Sequence, residues 1–126
     1  MRVRYAETDA MGYLHHSRYL VYFEIGRTEL LRLSGLRYRD MEERGLFYVV
    51  ARMEIQYRQP ARYDDDLLLI TSVEKFTRVR VEHHYDLRRD GQTLCEARST
   101  LVLVAADGRP TGLPDDWHDL LSSGQG

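Results

Sequence analysis

The chain has 126 residues, in which 18 Lys and Arg nearly balance 20 Asp and Glu, so the formal net charge is −2. This length suits one domain over residues 1–126, and we expect an irregular tail from about residue 110. The balanced charge argues against nucleic acid or a membrane surface as a partner, and no apolar run is long enough for membrane insertion. The single cysteine, Cys95, excludes an internal disulfide, which favours a reducing compartment and a cytoplasmic location.

The first strong pattern after a short strand predicted at residues 2–6 is helical. Apolar residues recur at spacings of four and three as far as Ser34 and Gly35, and Gly35 suits the left-handed position that ends a helix. The first half of this helix is apolar nearly all round, so we expect several of its sides to be covered. Short helical turns are predicted at 40–44 and 117–121. The stripe positions are Tyr19, Phe23, Gly26, Leu30 and Leu33.

Later segments alternate between apolar and polar residues with a period of two, which is typical of strands. In the first of them the alternation places Phe47 and Val49 on the same face as Met53. Asp90-Gly91 indicates a tight hairpin, and Pro60 indicates an edge strand or a bulge. One helix can cover such a sheet only if the sheet curls around it. We therefore predict an α+β fold with a curved antiparallel sheet of about five strands wrapped around one long central helix. The four later strands are predicted at 47–57, 67–75, 78–89 and 93–106.

The stretch ETDAMGYLHHSRY, residues 7–19, connects the first strand to the helix and concentrates polar groups. An aspartate such as Asp9 often does no more than accept backbone N–H groups in a turn. However, the N–H groups of His15, His16 and Ser17 lie where the helix begins and lack intrahelical partners, so they suit a developing oxyanion. A carboxylate opposite such donors can support acyl transfer. The residues alone leave both interpretations open.

Two adjacent histidine pairs, His15-His16 and His83-His84, raise the question of a metal site. Neighbouring residues of a strand point to opposite faces, and no HExxH or CxxC spacing accompanies these pairs. We therefore predict no metal site and no cofactor. His83 is expected in the core and His84 on the surface, and Cys95 is expected to be a buried structural residue.

Three stretches covering nearly the whole chain resemble one family of enzymes. They are VRYAETDAMGYLHHSRYLVYFEIGRTELL (3–31), YRQPARYDD (57–65) and VEKFTRVRVEHHYDLRRDGQTLCEARSTLVLV (73–104). They resemble the hot-dog-fold acyl-CoA thioesterases of the 4-hydroxybenzoyl-CoA thioesterase family. The similarity is greatest to the bacterial short-chain branch that includes the Tol-Pal-associated enzymes. The most specific part combines D-x-x-G, a histidine and a tyrosine seven and ten residues after the aspartate, and E-x-x-R on the helix.

The resemblance implies hydrolysis of an acyl-CoA to a free acid and coenzyme A. Asp9 would be the catalytic carboxylate, acting as a nucleophile or activating a water, and the backbone N–H of His16 would polarise the thioester carbonyl. Glu7 is the less expected carboxylate, because the matched motif centres on Asp9. Glu24 and Arg27 would form an i,i+3 pair that supports the helix.

The family also implies a homo-oligomer, either a dimer or a dimer of dimers, whose sites form between subunits. Coenzyme A carries several phosphates, so basic residues are expected near the site, although exposed arginines on a strand are usually only its solvated face. A non-catalytic acyl-CoA-binding module is one alternative function, and the presence of Asp9 weighs against it. A hot-dog hydratase or dehydratase is another, and His16 followed by Glu24 matches its histidine and helix-borne acid poorly. The expected substrate-binding residues are Gly12, Tyr19, Tyr57, Arg62, Arg78 and Arg80.

Overall fold

One long helix packs against a sheet in the computed structural model of the protein, which describes residues 1–123. The last three residues of the predicted domain, 124–126, lie outside the described residues. No helix within the described range combines the length and apolar character needed to cross a membrane. The elements in chain order are α1 (His16–Leu33), α2 (Tyr38–Glu43), β1 (Leu46–Tyr57), β2 (Leu68–Phe76), β3 (Arg80–Arg89), β4 (Gln92–Ala105) and α3 (Asp115–Ser123).

The sheet is curved and antiparallel and has four strands in residues 1–123, in the order β1-β4-β3-β2. The prediction of about five strands was wrong because residues 2–6 do not form a strand. Arg2 makes only an isolated bridge to Asp66, and Tyr5–Glu7 is a 3-10 helix. The Thr8 N–H and hydroxyl both donate to the Tyr5 carbonyl, so local turn bonds take the place of a strand ladder.

A bulge in β1 changes which side chains face the helix. The register with β4 shifts between Val50 and Arg52, so Ala51 is an extra residue. Before the bulge Tyr48 lies opposite buried Leu103, and after it Met53 lies opposite buried Ser99. The prediction that Phe47 and Val49 share the face of Met53 was therefore wrong, because strict alternation does not continue through a bulge.

The hairpin between β3 and β4 follows the prediction. Asp90 and Gly91 have φ values of 52° and 78°, the positive angles that a two-residue turn between strands requires.

The two ends of the sheet differ in what packs against them. We call the end where β1 finishes at Tyr57 the loop end, and the end where β1 begins at Leu46 the tail end. At the tail end α3 buries Leu121 and presents Trp117 to the Arg44 guanidinium at 4.1 Å from the ring centroid. The prediction of an irregular tail with one helical turn was wrong in extent, because α3 spans nine residues with an apolar face to bury.

The middle of α1 approaches β2 closely at Gly26. A Cβ at this position would fall against Thr71 Oγ1, and it would lie 2.8 Å from Leu69 Cδ2. Glycine therefore allows the helix to lie directly on the strand, and this contact fixes the helix midway between the two ends.

Candidate active site

An open cleft of about 360 Å³ lies at the loop end, between the loop before α1, the start of α1 and the chain that leaves β1. It brings together four of the residues expected at the site, although one of them comes from β1. Those four are Asp9, His16, Tyr19 and Tyr57. The sequence did not predict the other lining residues, which are Tyr13, Leu14, Arg58, Gln59 and Pro60.

The Asp9 carboxylate is fixed by its own loop. Its Oδ1 accepts hydrogen bonds from the N–H groups of Met11 at 2.8 Å and Tyr13 at 3.2 Å. The Asp9 N–H donates to the Tyr13 carbonyl at 2.8 Å, and Gly12 closes the turn with φ of 79° and a bond to the Asp9 carbonyl. Oδ2 meets no donor among residues 1–123. One carboxylate oxygen is therefore held in place and the other is open to a reactant, whereas Gly12 lies at the turn and not on the cleft wall.

The first turn of α1 leaves a backbone donor open at the cleft. His15 caps the helix, because its Nδ1 accepts a hydrogen bond from the Ser17 N–H at 3.2 Å. The His15 N–H in turn donates to the Glu7 carbonyl at 2.8 Å. His16 is the first helical residue, and within the described chain no protein acceptor meets its N–H. His16, whose N–H lies at the positive end of the helix dipole, thus lines the same cleft as Asp9.

Two tyrosines form the apolar side of the cleft, and Cys95 lies opposite one of them, Tyr57, on the neighbouring strand. Tyr19 is 3% exposed and meets half-exposed Tyr57 edge to face, with 5.0 Å between ring centroids. Burial raises the pKa of both tyrosines, so neither hydroxyl serves as a base near neutral pH. Burial also raises the pKa of fully buried Cys95 to about 12. Cys95 is therefore a structural residue, as predicted, and not a nucleophile.

Glu7 is the other carboxylate of this loop, and its position separates it from the cleft. It is 4% exposed and accepts hydrogen bonds from Tyr22 Oη at 3.1 Å and from the Arg4 N–H at 3.0 Å. Burial alone would raise the pKa of Glu7, but these hydrogen bonds and the charge of Arg4 bring it below its ordinary value. Glu7 is thus ionised and held through Oε1, and it does not line the cleft.

The three arginines expected near coenzyme A lie in two places. The Arg62 guanidinium lies 5.5 Å from the ring centroid of Tyr13, a lining residue, so Arg62 is beside the cleft. Arg78 lies at the tail end, where it donates to the Leu113 carbonyl at 3.2 Å and pairs with Asp115 at 2.6 Å. Arg80 begins β3 at the same end. Neither Arg78 nor Arg80 lines the cleft of its own chain.

A second, smaller cavity of about 70 Å³ lies at the tail end. His83 borders it and is buried, as predicted. Burial, followed by the charge of Arg27, lowers the pKa of His83 to about 4. The Tyr48 hydroxyl and His83 Nδ1 are buried and have no hydrogen-bond partner in the part of the chain that the structure describes.

The expected Glu24–Arg27 pair is absent from the ion pairs of residues 1–123. Arg27 interacts instead with the hydroxyl of Tyr38, at the tail end. Within the same range, no group of three or more His, Cys, Asp or Glu side chains is placed to hold a metal ion.

The fold and this site can be compared with known proteins. The profile of the thioesterase-like superfamily matches residues 3–121. The chain belongs to this superfamily. It is therefore a thioester hydrolase by family, and the hot-dog fold predicted from the sequence is confirmed.

Individual relatives match over most of their length. An acyl-CoA thioesterase of Haemophilus influenzae is 35% identical over 108 residues, which cover 85% of this chain and 78% of that protein. The DHNA-CoA thioesterase of Staphylococcus aureus superposes with a TM-score of 0.92 at 30% identity, covering 99% of this chain and 87% of that one. A protein of Aquifex aeolicus superposes with a TM-score of 0.88 at 30% identity, covering 96% and 95% of the two chains.

Proposed function

We propose that this thioesterase hydrolyses an acyl-CoA to a free acid and coenzyme A. The observation that carries the proposal is the pairing, on one cleft, of the Asp9 carboxylate and the open His16 N–H. The carboxylate supplies the base or nucleophile, and the N–H supplies the donor that a developing oxyanion needs. A thioester has a good leaving group, so this pair suffices without a Ser-His-Asp triad.

Two routes fit the geometry of Asp9. In one, Oδ2 attacks the carbonyl carbon, the C–S bond breaks, and coenzyme A leaves as a thiolate; water then hydrolyses the mixed anhydride. In the other, Asp9 takes a proton from a water molecule that attacks the same carbon; the C–S bond then breaks, and the free acid and the thiolate of coenzyme A are released. In both, negative charge develops on the carbonyl oxygen, where the His16 N–H and the helix dipole stabilise it.

The alternatives fit less well. A hot-dog hydratase or dehydratase would need a histidine and a helix-borne acid at one site, and Glu24 does not line the cleft with His16. A non-catalytic acyl-CoA-binding module needs no carboxylate, yet Asp9 is held with one oxygen open.

The position of the arginines supports a site shared between two copies of the chain. β1 is an edge strand, and Val49 and Val50 on it are exposed, so a second copy can pair with it. Antiparallel pairing of two β1 strands would set the tail end of one copy, with Arg78 and Arg80, beside the loop end of the other. The same contact would cover the apolar part of α1 that is exposed in one chain, which is Leu20, Val21 and Ile25.

In this arrangement Arg62 from one copy and Arg78 and Arg80 from the other would contact the phosphates of coenzyme A. Tyr19 and Tyr57 would border the acyl group. The 4-hydroxybenzoyl-CoA family and its short-chain branch are the finer part of the proposal, supported by the motif around Asp9. The choice between dimer and dimer of dimers and the cytoplasmic location stay predictions.

The test is thiol release from purified protein given a panel of aliphatic and aromatic acyl-CoAs. We expect turnover of short-chain or aromatic members, with an equal amount of free acid formed. Absence of thiol release across the panel, with acyl-CoA binding retained in calorimetry, would replace the enzyme by the binding module. Sedimentation of the same sample measures whether two or four copies associate.

A further inference from the structure

We propose that Glu7, together with Tyr22, is a positioning residue that holds the Asp9 carboxylate and the His16 N–H in register. The inference rests on the proposed thioesterase function and adds a residue that does not contact the substrate. It starts from the buried carboxylate of Glu7, which takes no part in either proposed catalytic route. Glu7 lies two residues before Asp9 but does not line the cleft.

The side chain of Glu7 fastens the catalytic loop to the body of α1. Tyr22, which is 5% exposed and lies well inside the helix, donates its hydroxyl to Glu7 Oε1 at 3.1 Å. The Arg4 N–H donates to the same oxygen at 3.0 Å. A buried carboxylate is costly unless it is hydrogen-bonded, and bonds to an ionised acceptor are stronger than neutral ones. The loop is thereby tied to a rigid element.

The backbone of Glu7 fastens the other half of the site. Its carbonyl accepts the His15 N–H at 2.8 Å, immediately before His16. After Glu7, Thr8 forms a β-bridge with Leu14, and the Asp9 N–H donates to the Tyr13 carbonyl. Backbone hydrogen bonds therefore join residues 8–9 to residues 13–14 across the loop. Glu7 therefore lies two residues before Asp9 in the chain, and its carbonyl is hydrogen-bonded to His15, the residue before His16. Its side-chain bond to Tyr22 fixes both relative to α1.

This arrangement has a kinetic consequence. Misplacement of a reacting group by about 1 Å can reduce a rate by about 100-fold without removing any catalytic atom. Loss of the tether should therefore lower kcat more than it raises KM, because the phosphate and acyl contacts lie elsewhere.

The test compares Tyr22→Phe, which removes only a hydroxyl, with Glu7→Gln, which keeps an acceptor but removes the charge. We expect kcat to fall by about tenfold in each variant, while KM stays within about twofold of wild type. Asp86→Asn is the matched control: Asp86 is 7% exposed, is bonded to Arg88 and Thr93, and does not line the cleft. The kcat of Asp86→Asn should match wild type even if its melting temperature falls as much as those of Tyr22→Phe and Glu7→Gln.

A second measurement does not depend on activity. Hydrogen exchange of the His15, Met11 and Tyr13 amides should accelerate in Tyr22→Phe and stay unchanged in Asp86→Asn. An unchanged kcat in folded Tyr22→Phe, or unchanged exchange of these amides, would overturn the inference. If wild-type protein releases no thiol from any acyl-CoA, the proposed function fails, and the exchange result alone then decides whether the tether positions the loop.

Discussion

The loop end and the tail end of the sheet each hold a cavity beside α1, but the two cavities differ in the exposure and the hydrogen bonding of their polar groups. At the loop end Asp9 Oδ1 is hydrogen-bonded to its loop and the cleft is open. At the tail end the Tyr48 hydroxyl and His83 Nδ1 are buried without a partner in the described chain. His83, with a strongly lowered pKa, would be a candidate functional residue on that ground alone, although it lies away from the proposed chemistry. A useful site is better recognised by a polar group that the protein holds and leaves partly open.

The largest expected effect is at the loop end. Asp9→Asn keeps an oxygen that can accept the Met11 and Tyr13 N–H groups but removes the base or nucleophile. We expect kcat to fall by about 10²–10⁴-fold, with an unchanged melting temperature, in a thiol-release assay. Asp107→Asn is the control, because Asp107 caps a turn at the Arg109 N–H in the same manner. Near-normal turnover of Asp9→Asn would move the catalytic carboxylate elsewhere in the loop, with Glu7 as the first residue to test.

The next largest effect is on stability, and it concerns the contact of α1 with β2 at Gly26, midway between the loop end and the tail end. Gly26→Ala would push a methyl group against Thr71 and Leu69 and overpack the interface of α1 with β2. The free energy of unfolding should fall by about 1–3 kcal/mol in urea denaturation. Gly112→Ala is the matched control, since its Cβ would have Arg78 Cβ as nearest neighbour at 3.8 Å, an ordinary contact. Equal stability of the two variants would mean that the helix does not depend on this approach.

A smaller, pH-dependent effect belongs to the tail end. The folded-state pKa of His83 is lowered to about 4, below the ordinary 6.5, so the unfolded chain binds more protons between these values. Stability contributed by neutral His83 is therefore present above about pH 6.5 and lost as pH falls towards 4, by at most about 1.4 kcal/mol per pH unit.

His83→Phe should flatten this part of the stability profile, and thiol release at neutral pH should remain. His84→Gln, on the opposite face of the same strand, serves as control. A profile of His83→Phe that parallels wild type would show that His83 does not titrate on unfolding.

The smallest expected effects concern the arginines. Arg78→Ala and Arg80→Ala should each raise KM by a few-fold, and more at low salt than at high salt, because phosphate contacts are screened. Arg109→Ala is the control, with a side chain 87% exposed and only a loose pair with Asp107. An unchanged KM would assign Arg78 and Arg80 to the solvated surface and would weaken the proposed contribution of a second copy.

The sequence predicted the long helix and the four strands, because each follows from a periodic pattern of apolar residues within a short segment. The helical stripe gave α1 and the alternation gave β1 to β4, because those periodicities follow from which face is buried. The extra strand and the irregular tail were errors, since a 3-10 turn held by Thr8 and the docking of α3 depend on contacts with distant residues. The bulge at Ala51 leaves no sign in a run of apolar residues.

The same division holds for the cleft. Asp9, His16 and Tyr19 lie close together in sequence, so one motif indicated them. Tyr13 and Leu14 reach the cleft because the chain at residues 61–62 bonds to their backbones, with Leu14 N–H to the Ala61 carbonyl at 2.7 Å. The interruption at residues 59–61 was the one signal that could have indicated Arg58, Gln59 and Pro60. Burial of Glu7 depends on Tyr22, which no local pattern connects with it.

The extra residue in β1 has a consequence for how this strand can vary in length. Because Ala51 lies between Tyr48 and Met53, it resets the parity of the strand, and both ends present side chains to the interior. Deletion of that single residue would move the side chains of one half of β1 to the opposite face of the sheet. Either Tyr57 would leave the cleft or Tyr48 would leave the tail-end cavity. A stable chain with a shortened β1 would therefore have lost either the loop-end cleft or the tail-end cavity, and the tyrosine of that end would face outward.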